Sequence, residues 1–291
     1  MIVDTHQHLW LIDESDLWWL TDEARAAGGP HLKDFGPEEM RKAFATVGTQ
    51  LSVLVEAWAA EADQRYWLEV AEDDETLGGV VASGDFFSSG IGGLTDRLQA
   101  HSKFRGLRLA TERIVDPDIL TGDDVRRGVR DLAARDNVSL DLLVKIDHLN
   151  DVPRLAEENP DLPMVLNHLA KPKTAEAGYF VPWAEQIELL KPYPQISFKI
   201  SGMLTEAGPE PSADLLRPAV QFMIETFGYE RLMWGSDWPV SLRASSYRKN
   251  FETTMDAMGP MTEEEEAAFL SQNALAFYRI DSPMEGGIDA D

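Results

Sequence analysis

Two histidines separated by a single residue lie near the start of the chain, in the run VDTHQHL at residues 3–9. If this run is a strand, side chains two positions apart point to the same side, so His6 and His8 face together with Asp4 below them. Two imidazoles at one strand end can hold a divalent metal ion or grip an anionic substrate. Such a pair also arises by chance on a surface turn, so the functional interpretation depends on partners elsewhere.

A third histidine and an aspartate are the candidate partners, and each follows an apolar run. His168 ends MVLNH at 164–168, and Asp237 lies within MWGSDWP at 233–239. Imidazole and carboxylate groups together suit Zn²⁺ or Mn²⁺. Because the chain has no cysteine, a metal site can only be built from His, Asp and Glu. The structural alternatives are a buried histidine that caps its strand and an aspartate that caps a helix.

The elements that must position these residues alternate along the chain. Eight apolar runs predict strands, at Ile2–His8, Leu51–Ala57, Gly79–Asp85, Gly106–Leu109, Ser139–Ile146, Met164–Leu169, Ile196–Ile200 and Arg231–Ser236. Six stretches between them have helical spacing, namely Ala62–Glu72, Leu94–His101, Val125–Arg135, Val152–Asn159, Trp183–Leu190 and Leu215–Thr226. Eight strand–helix units in 291 residues predict an α/β fold, the closed (β/α)8 TIM barrel. No G-x-G-x-x-G follows the first strand, which disfavours a dinucleotide-binding fold.

Residues 1–291 are expected to form one catalytic domain with a single active-site mouth. In such barrels the active site lies at the C-terminal ends of the strands, where His6, His8, His168 and Asp237 are all predicted to lie. Two long segments, residues 10–37 and 171–182, are expected to cover this mouth as lid or binding loops. Residues 281–291 are expected to form a frayed tail.

The charge balance restricts the partners. The chain carries 51 acidic and 26 basic residues, a net charge of −25. Nucleic acids and anionic membranes both need a basic face, so neither is expected as a partner. The first strand leaves no room for a signal peptide and no apolar run approaches about 18 residues, which predicts a soluble cytoplasmic protein.

Five motifs together resemble the amidohydrolase superfamily, in the branch of predicted metal-dependent TIM-barrel hydrolases that includes the sugar lactonases. They are DTHQHLW (4–10), FRGLR (104–108), NHLAKP (167–172), FKISG (198–202) and GSDWP (235–239). The resemblance spans nearly the whole chain except its C-terminal tail and implies a distorted barrel. Members resembling this chain hydrolyse lactones of L-fucose, L-rhamnose or related aldonic acids. Others open muconolactone-type or pyrone dicarboxylate rings, and the wider superfamily includes decarboxylases.

The resemblance also implies roles for the four site residues. His6, His8 and His168 would bind one divalent metal ion, Zn²⁺ or Mn²⁺, or, in members that work without a metal, the oxygen atoms of the substrate. Asp237 would be the general base that takes a proton from the attacking water, and a metal ligand as well. His168 joins Asp237 in the predicted catalytic set.

Binuclear members of the superfamily bridge two metal ions with a carboxylated lysine and use a second downstream histidine. Strand five of this chain offers only Lys145, whose orientation the sequence does not define. Strand seven ends in Lys199 and Ser201 without a histidine. A binuclear site is therefore not expected, and a metal-free mechanism stays open.

Three further charged residues are candidates near the mouth. Arg108 needs a counter-anion there, which a substrate carboxylate, a developing oxyanion or a neighbouring acid such as Glu56 would supply, so it is a candidate for catalysis and substrate binding. Glu56 is an extra metal ligand or the partner of Arg108. Lys199 is expected to contact Asp237, another acid or the substrate, because an unpaired buried lysine is costly. Lys171 is expected to be solvated.

Tryptophans near strand ends or on the first long segment are candidate platforms for a sugar ring. They are Trp10, Trp18, Trp19, Trp58 and Trp238. Indole faces bind the C–H faces of sugars, but they also pack loops onto barrels, and packing is favoured for any single one of them. Trp238, next to Asp237, and Trp10 are the candidates for substrate binding.

The residues and the resemblance together predict hydrolysis of a small sugar lactone or a related carboxylated lactone, by attack of water on the ring carbonyl. One alternative is a metal-dependent decarboxylase of an aromatic or unsaturated acid, marked by strict metal dependence and release of CO2. The second alternative is a barrel that binds a ligand without catalysis. The intact set of three histidines and one aspartate argues against it. A homodimer stays open.

The acidic surplus predicts that salt stabilises the protein. Only nine of its basic residues are lysine, and an acidic surface poor in lysine suits a salt-loving host, where screening relieves self-repulsion. The melting temperature is expected to rise from dilute to molar KCl in a thermal denaturation series. A melting temperature that is indifferent to KCl would contradict a salt-loving host.

Overall fold

The computed structural model describes residues 1–13, 17, 21–57, 60–208 and 210–282. Eight strands form one parallel sheet in sequence order. They are β1 Val3–Gln7, β2 Leu51–Val55, β3 Leu77–Ser83, β4 Phe104–Ala110, β5 Ser139–Leu143, β6 Met164–Leu166, β7 Ile196–Ile200 and β8 Leu232–Trp234. All eight predicted strands are found, and the distorted (β/α)8 barrel is confirmed. The strands read as continuous apolar runs because one face lines the barrel and the other lies under helices.

Twelve α-helices surround the sheet within the described residues. They are α1 Asp22–Ala27, α2 Pro37–Phe44, α3 Glu61–Asp73, α4 Ile91–Leu98, α5 Asp123–Ala133, α6 Val152–Glu158, α7 Phe180–Glu188, α8 Met203–Glu206, α9 Ala213–Phe227, α10 Tyr247–Met258, α11 Glu263–Ala267 and α12 Asn273–Tyr278. The six predicted helices correspond to α3, α4, α5, α6, α7 and α9. None of the described helices is both long and apolar enough to cross a bilayer.

Helix α2 directly follows the first long segment, and its sequence carries a start signal. Pro37 occupies its first turn, where a proline costs no intrahelical hydrogen bond, and Glu39 bonds back to the backbone of Gly36. Met40 and Phe44, four positions apart, form its buried face. A capping residue and helical spacing also predict α10, whose N-cap is Ser246.

Two apolar clusters fill the molecule, one between the sheet and the helices and one inside the barrel. The inner cluster combines valines of the strands, such as Val3, Val53 and Val165, with residues of the C-terminal segment. Tyr278 and Ile280 from this segment are buried against those strands. The C-terminal segment therefore closes the end of the barrel that lies opposite the mouth.

The junction between β1 and β8 depends on side chains as well as backbone. The hydroxyl of Thr5 donates to the carbonyl of Trp234 at 2.6 Å. One carboxylate oxygen of Asp4 accepts from the backbone N–H of Ser236 at 2.8 Å, and the other accepts from the hydroxyl of Tyr247 at 3.1 Å. Two side chains of the first strand thus satisfy backbone groups at the end of the last strand and just beyond it, and this closes the ring.

A bulge in β1 corrects the prediction that Asp4 shares a face with His6 and His8. The register of β1 against β2 shifts between Asp4 and Gln7. Asp4 faces Tyr247 of α10, whereas His6 lies beside Lys199 of β7. An extra residue in a bulge breaks the two-residue alternation, which the spacing in the sequence does not reveal.

Replacing Asp4 is expected to weaken the closure of the barrel. Asp4→Ala leaves the N–H groups of Ser236 and His6 and the hydroxyl of Tyr247 without their buried acceptor. We expect a loss of about 3 kcal/mol in the free energy of unfolding, measured by urea denaturation. The control Asp123→Ala removes a side chain that is 99% exposed, and is expected to change stability by less than about 0.5 kcal/mol. Equal losses in the two variants would contradict the role of Asp4.

Candidate active site

The three predicted histidines surround one oxygen of the predicted aspartate. Oδ1 of Asp237 lies 3.3 Å from Nε2 of His8, and 3.9 Å from Nε2 of His6 and of His168. All four residues are at most 5% exposed. The ends of β1, β6 and β8 thus bring together the four residues that the sequence had singled out, at a single point of the barrel mouth.

Backbone hydrogen bonds fix the positions of these groups. The N–H of Asp237 donates to the carbonyl of His6 at 2.7 Å, and the N–H of His8 donates to the carbonyl of Trp238 at 2.7 Å. These bonds continue the β1–β8 junction beyond the ends of both strands. The carboxylate and the histidine pair are therefore held as one rigid unit.

A left-handed backbone conformation orients two of the four site side chains, those of His168 and Asp237. Asp237 has a φ of 55°, and the four residues His168–Lys171 have φ values between 50° and 57°. Each such non-glycine residue costs about 1–2 kcal/mol, so surrounding contacts must hold this turn. The indole N–H of Trp183 donates to the carbonyl of Leu169 at 2.8 Å, and Asn167 anchors the start of the turn through Asp141. Strain of this kind is concentrated at functional sites.

In each histidine, the hydrogen-bond partner of Nδ1 determines whether Nε2 carries a proton or a free lone pair. Nδ1 of His8 lies 2.5 Å from the carbonyl oxygen of Val55, which only accepts, so this nitrogen carries a proton. In the neutral form of His8, Nε2 therefore turns a lone pair toward the Asp237 carboxylate, and these two acceptors need a proton or a cation between them. Nδ1 of His168 lies 2.8 Å from the hydroxyl of Ser201, which can donate or accept.

A buried ion pair supports His6 from inside the barrel. Nζ of Lys199 donates to Oδ2 of Asp141 at 2.7 Å and lies 3.4 Å from Nδ1 of His6. Asp141 also accepts from Asn167 and from the hydroxyl of Tyr278, both at 2.9 Å. Sequence reasoning missed Asp141, although a single acid in the apolar run SLDLL is a usable signal.

Burial and neighbouring charges set the protonation of the site at neutral pH. Burial, followed by the charge of Lys199, lowers the pKa of His6 well below its ordinary value, and burial lowers the pKa of His168 to about 4. Burial alone would raise the pKa of Asp237, but His168 and His8 outweigh it, so its pKa lies below the ordinary value. At neutral pH the site therefore combines the neutral rings of His6 and His168 with an ionised carboxylate.

A cavity of about 500 Å³ opens above these groups. His8, His168 and Asp237 form part of its wall, together with the guanidinium-bearing Arg108. The first long segment also borders it, through Trp10, Ala24, Ala27, Gly28 and His31. The described residues of this segment thus border the mouth, where a lid would lie. Trp18, Trp19 and Trp58, and the tail from residue 283, lie outside the described residues.

Arg108 and Glu56 contact each other, but not as the predicted ion pair. The guanidinium of Arg108 donates to the backbone carbonyl of Glu56. Within the described part of the chain, neither carboxylate oxygen of Glu56 has a hydrogen-bond partner. Burial raises the pKa of Glu56 well above its ordinary value, which favours the neutral acid. Glu56 does not line the cavity, so its predicted roles as extra ligand and substrate contact are not what the structure shows.

For Lys199 the predicted alternative of another acid is confirmed, whereas the predictions for Trp238 and Lys171 need correction. Lys199 is fully buried and meets Asp141, so it supports the site from below the cavity wall and does not line it. Trp238 turns its ring edge-to-face onto Phe35, with centroids 5.0 Å apart, and does not line the cavity either. Lys171, expected to be solvated, contacts the carboxylate of Glu112 because the left-handed turn directs it back to the mouth.

The donor set fits a divalent cation. Ligand atoms of His6, His8 and Asp237 all lie within 4.8 Å of one another, and Nε2 of His6 is buried without a hydrogen-bond partner among the described residues. His8 already presents its lone pair. His6 would do so in the tautomer that carries its proton on Nδ1. Burial lowers the pKa of Lys199, while the charge of Asp141 and its hydrogen bond oppose that shift.

Comparison with known proteins identifies relatives over almost the whole length of the chain. A profile of the family described as Amidohydrolase matches residues 3–280. An L-fucono-1,5-lactonase of Burkholderia ambifaria is 32% identical over 288 residues, which cover 97% of this chain and 96% of that protein. An L-fucono-1,5-lactonase of Burkholderia multivorans is 29% identical over 255 residues, 84% of each chain.

A solved structure supports the same relationship. The crystal structure of an amidohydrolase from Burkholderia multivorans with bound zinc superposes with a TM-score of 0.86. It is 27% identical in sequence, and the alignment covers 97% of this chain and all of that one. The barrel and its elements are therefore shared with that protein along their full length.

Gly202 lies so close to the site that a methyl group there is expected to disrupt it. Its φ is +61°, and a Cβ would stand 2.7 Å from Nδ1 of His168 and 3.2 Å from Oδ2 of Asp237. Gly202→Ala is expected to displace the His168 ring and to lower catalytic turnover at least about 100-fold. The control Gly48→Ala has a similar φ of +83° but nothing within 4 Å, so it shares only the backbone cost of about 1 kcal/mol. Equal turnover in the two variants would contradict this packing argument.

Proposed function

Because this chain belongs to the amidohydrolase family, we propose that it hydrolyses a sugar lactone or a related carboxylated lactone, opening the ring by attack of water on the ester carbonyl. The observation that carries this proposal is the ionised Asp237, surrounded by the imidazoles of His6, His8 and His168 at the wall of a cavity. The two relatives named L-fucono-1,5-lactonase support a sugar lactone as the substrate class.

Asp237 is proposed as the general base. Its carboxylate borders the cavity and is ionised at neutral pH, so it can accept a proton from a water molecule that attacks the carbonyl carbon. Because its pKa is low, it returns that proton readily to the ring oxygen as the carbon–oxygen bond breaks. One proton thus moves from water to Asp237 and on to the leaving hydroxyl, and the product is a hydroxy acid.

Arg108 and His168 are proposed to stabilise the oxyanion. The guanidinium of Arg108 lines the cavity, and its buried Nε has no acceptor among the described residues, so part of its donor capacity is unused. His168 offers Nε2 toward the same space. Charged and neutral donors at this point favour the tetrahedral oxyanion over the flat ester. A divalent cation, held by His6, His8, His168 and Asp237 when bound, would supply Lewis-acid polarisation of the carbonyl.

An ester is a suitable substrate for an active site that has so few catalytic groups. The alkoxide of a lactone leaves more readily than the amine of an amide, so strong activation of the leaving group is not required. One base, one positioned arginine and the imidazoles therefore suffice in principle, with or without a bound cation.

The host environment of the protein and its oligomeric state are also proposals. The acid surplus supports a salt-adapted host, which the melting series in KCl tests, and a cytoplasmic location stays a prediction. A homodimer is a prediction that sedimentation or light scattering can test.

Hydrolysis is expected in a panel of five- and six-membered L- and D-sugar lactones, followed in high salt by acid release with a pH indicator. Activity that survives chelation would assign His6, His8 and His168 to substrate binding. Activity lost on chelation and restored by Zn²⁺ or Mn²⁺ would assign them to a metal. If no lactone is opened, the proposal is wrong, and strictly metal-dependent CO2 release from an aromatic acid would then identify a decarboxylase.

Asp237→Asn is expected to keep the fold and to lose about 10²–10⁴-fold in turnover, because an amide cannot take the proton from water. Circular dichroism and the melting temperature check the fold, and the acid-release assay measures the rate. The matched control Asp214→Asn alters a carboxylate that is 93% exposed and is expected to leave the rate unchanged. More than a tenth of wild-type activity in Asp237→Asn would exclude Asp237 as the base.

A further inference from the structure

A second cavity, of about 590 Å³, lies next to the active-site cavity. Glu112, Lys145 and Lys171 border both, so the two cavities adjoin along these three side chains. The volume falls within the range of about 300–1,000 Å³ that is typical of small-molecule sites. Asp237, where the ring is proposed to open, borders only the first cavity, so that reaction does not account for the second.

The second long segment of the sequence, residues 171–182, provides half of the residues that line the second cavity. They are Lys171, Pro172, Lys173, Glu176, Tyr179 and Pro182. The left-handed turn that includes His168 leads into this segment. The indole N–H of Trp183, which directly follows the segment, donates to the carbonyl of Leu169 in that turn at 2.8 Å. Both ends of the segment are thus anchored beside the active site, which favours the predicted binding loop.

The lining of the second cavity combines apolar surface with charges that nearly cancel. Five of its residues are apolar or aromatic, four are acids and three are lysines. Two of the lysines meet acids of the same lining: Lys171 contacts Glu112, and Nζ of Lys173 lies 3.1 Å from Oε1 of Glu176. An occupant without polar atoms would take water from these groups and return no hydrogen bond. The lining therefore suits a neutral group that has both apolar faces and hydroxyls.

Tyr179 offers this cavity a hydrogen-bond donor that the protein does not use. Its hydroxyl is buried and has no hydrogen-bond partner among the residues that the structure describes. Burial raises the pKa of Tyr179, so the hydroxyl keeps its proton at neutral pH. A buried donor without an acceptor costs free energy, and an oxygen atom of a bound ligand would remove that cost.

We propose, on the basis of the lactonase function above, that the substrate is the lactone of a disaccharide aldonic acid, and that the second cavity holds its second sugar residue. A sugar presents C–H faces to aromatic rings such as that of Tyr179, while its hydroxyls donate to carboxylates and accept from the phenol. Because the two cavities adjoin, one molecule can occupy both. Water still attacks the ring ester and the glycosidic bond stays intact, so the product is a disaccharide aldonic acid.

The test compares D-glucono-1,5-lactone with three derivatives that carry a second sugar on the same ring. They are the 1,5-lactones of cellobionic, maltobionic and melibionic acid, which differ in the position or configuration of the glycosidic bond. In the acid-release assay, at least one of them is expected to have a kcat/KM at least about tenfold above that of D-glucono-1,5-lactone. Equal or lower kcat/KM for all three would overturn the proposal.

Tyr179→Phe locates the effect in the second cavity. Loss of one hydrogen bond to the second sugar is expected to lower the preference, the ratio of kcat/KM for the favoured disaccharide lactone to that for D-glucono-1,5-lactone, about fivefold. The matched control Tyr66→Phe removes the hydroxyl of a tyrosine on α3 that is 47% exposed, and is expected to leave this ratio unchanged. An unchanged ratio in Tyr179→Phe would contradict the assignment of the second cavity to the second sugar.

A binding measurement separates this inference from the proposed function. Calorimetric titration with gluconate, cellobionate, maltobionate and melibionate needs no turnover, and each of these acids carries a single carboxylate. Binding of at least one disaccharide acid about tenfold tighter than gluconate, and weakened in Tyr179→Phe, supports the second cavity even if no lactone is hydrolysed. Equal affinity for all four acids overturns it, while hydrolysis of single-ring lactones would still support the lactonase function.

Discussion

The junction between the first and last strands is the constraint on which this site depends. Bonds from Thr5 and Asp4 to the end of β8 close the ring, and backbone bonds beyond the strands join His6 to Asp237. The histidine pair and the carboxylate belong to opposite ends of the chain, 229 residues apart in the case of His8. The same hydrogen bonds that complete the barrel therefore assemble its reactive groups, so stability and chemistry share one set of contacts.

The barrel interior extends this coupling to the far end of the molecule. The hydroxyl of Tyr278, on the last described helix, donates to Asp141, which holds Lys199 against His6. A buried lysine and aspartate are tolerated only as a hydrogen-bonded pair, because each alone would carry a large desolvation cost. A chain of polar contacts thus runs from the closed end of the barrel to the mouth, through an interior that is otherwise apolar.

The balance of charge differs between the surface of the protein and its active-site cavity. The surface carries the acid surplus, while the cavity concentrates cations and the site itself holds one ionised carboxylate among imidazoles. Burial lowers the pKa of His168 to about 4, so this ring is neutral at neutral pH. The pKa of Asp237 lies below its ordinary value despite burial, because His168 is charged in the acidic range where both groups titrate and because His8 bonds to the carboxylate. An anionic base beside a cationic mouth is stable because opposite charges attract, and the charge of Lys171 lowers the pKa of Asp237.

The sequence by itself determined the barrel, its eight strands and the four residues that meet at the mouth, because period and strand-end position are local properties of the chain. It did not determine the bulge that turns Asp4 away, the pairing of Lys199 with Asp141, or the contact of Arg108 with the backbone of Glu56. Those depend on which side chains from distant strands come within about 3 Å of each other, and two-residue alternation says nothing about distance across a barrel. Only the tertiary structure decided them.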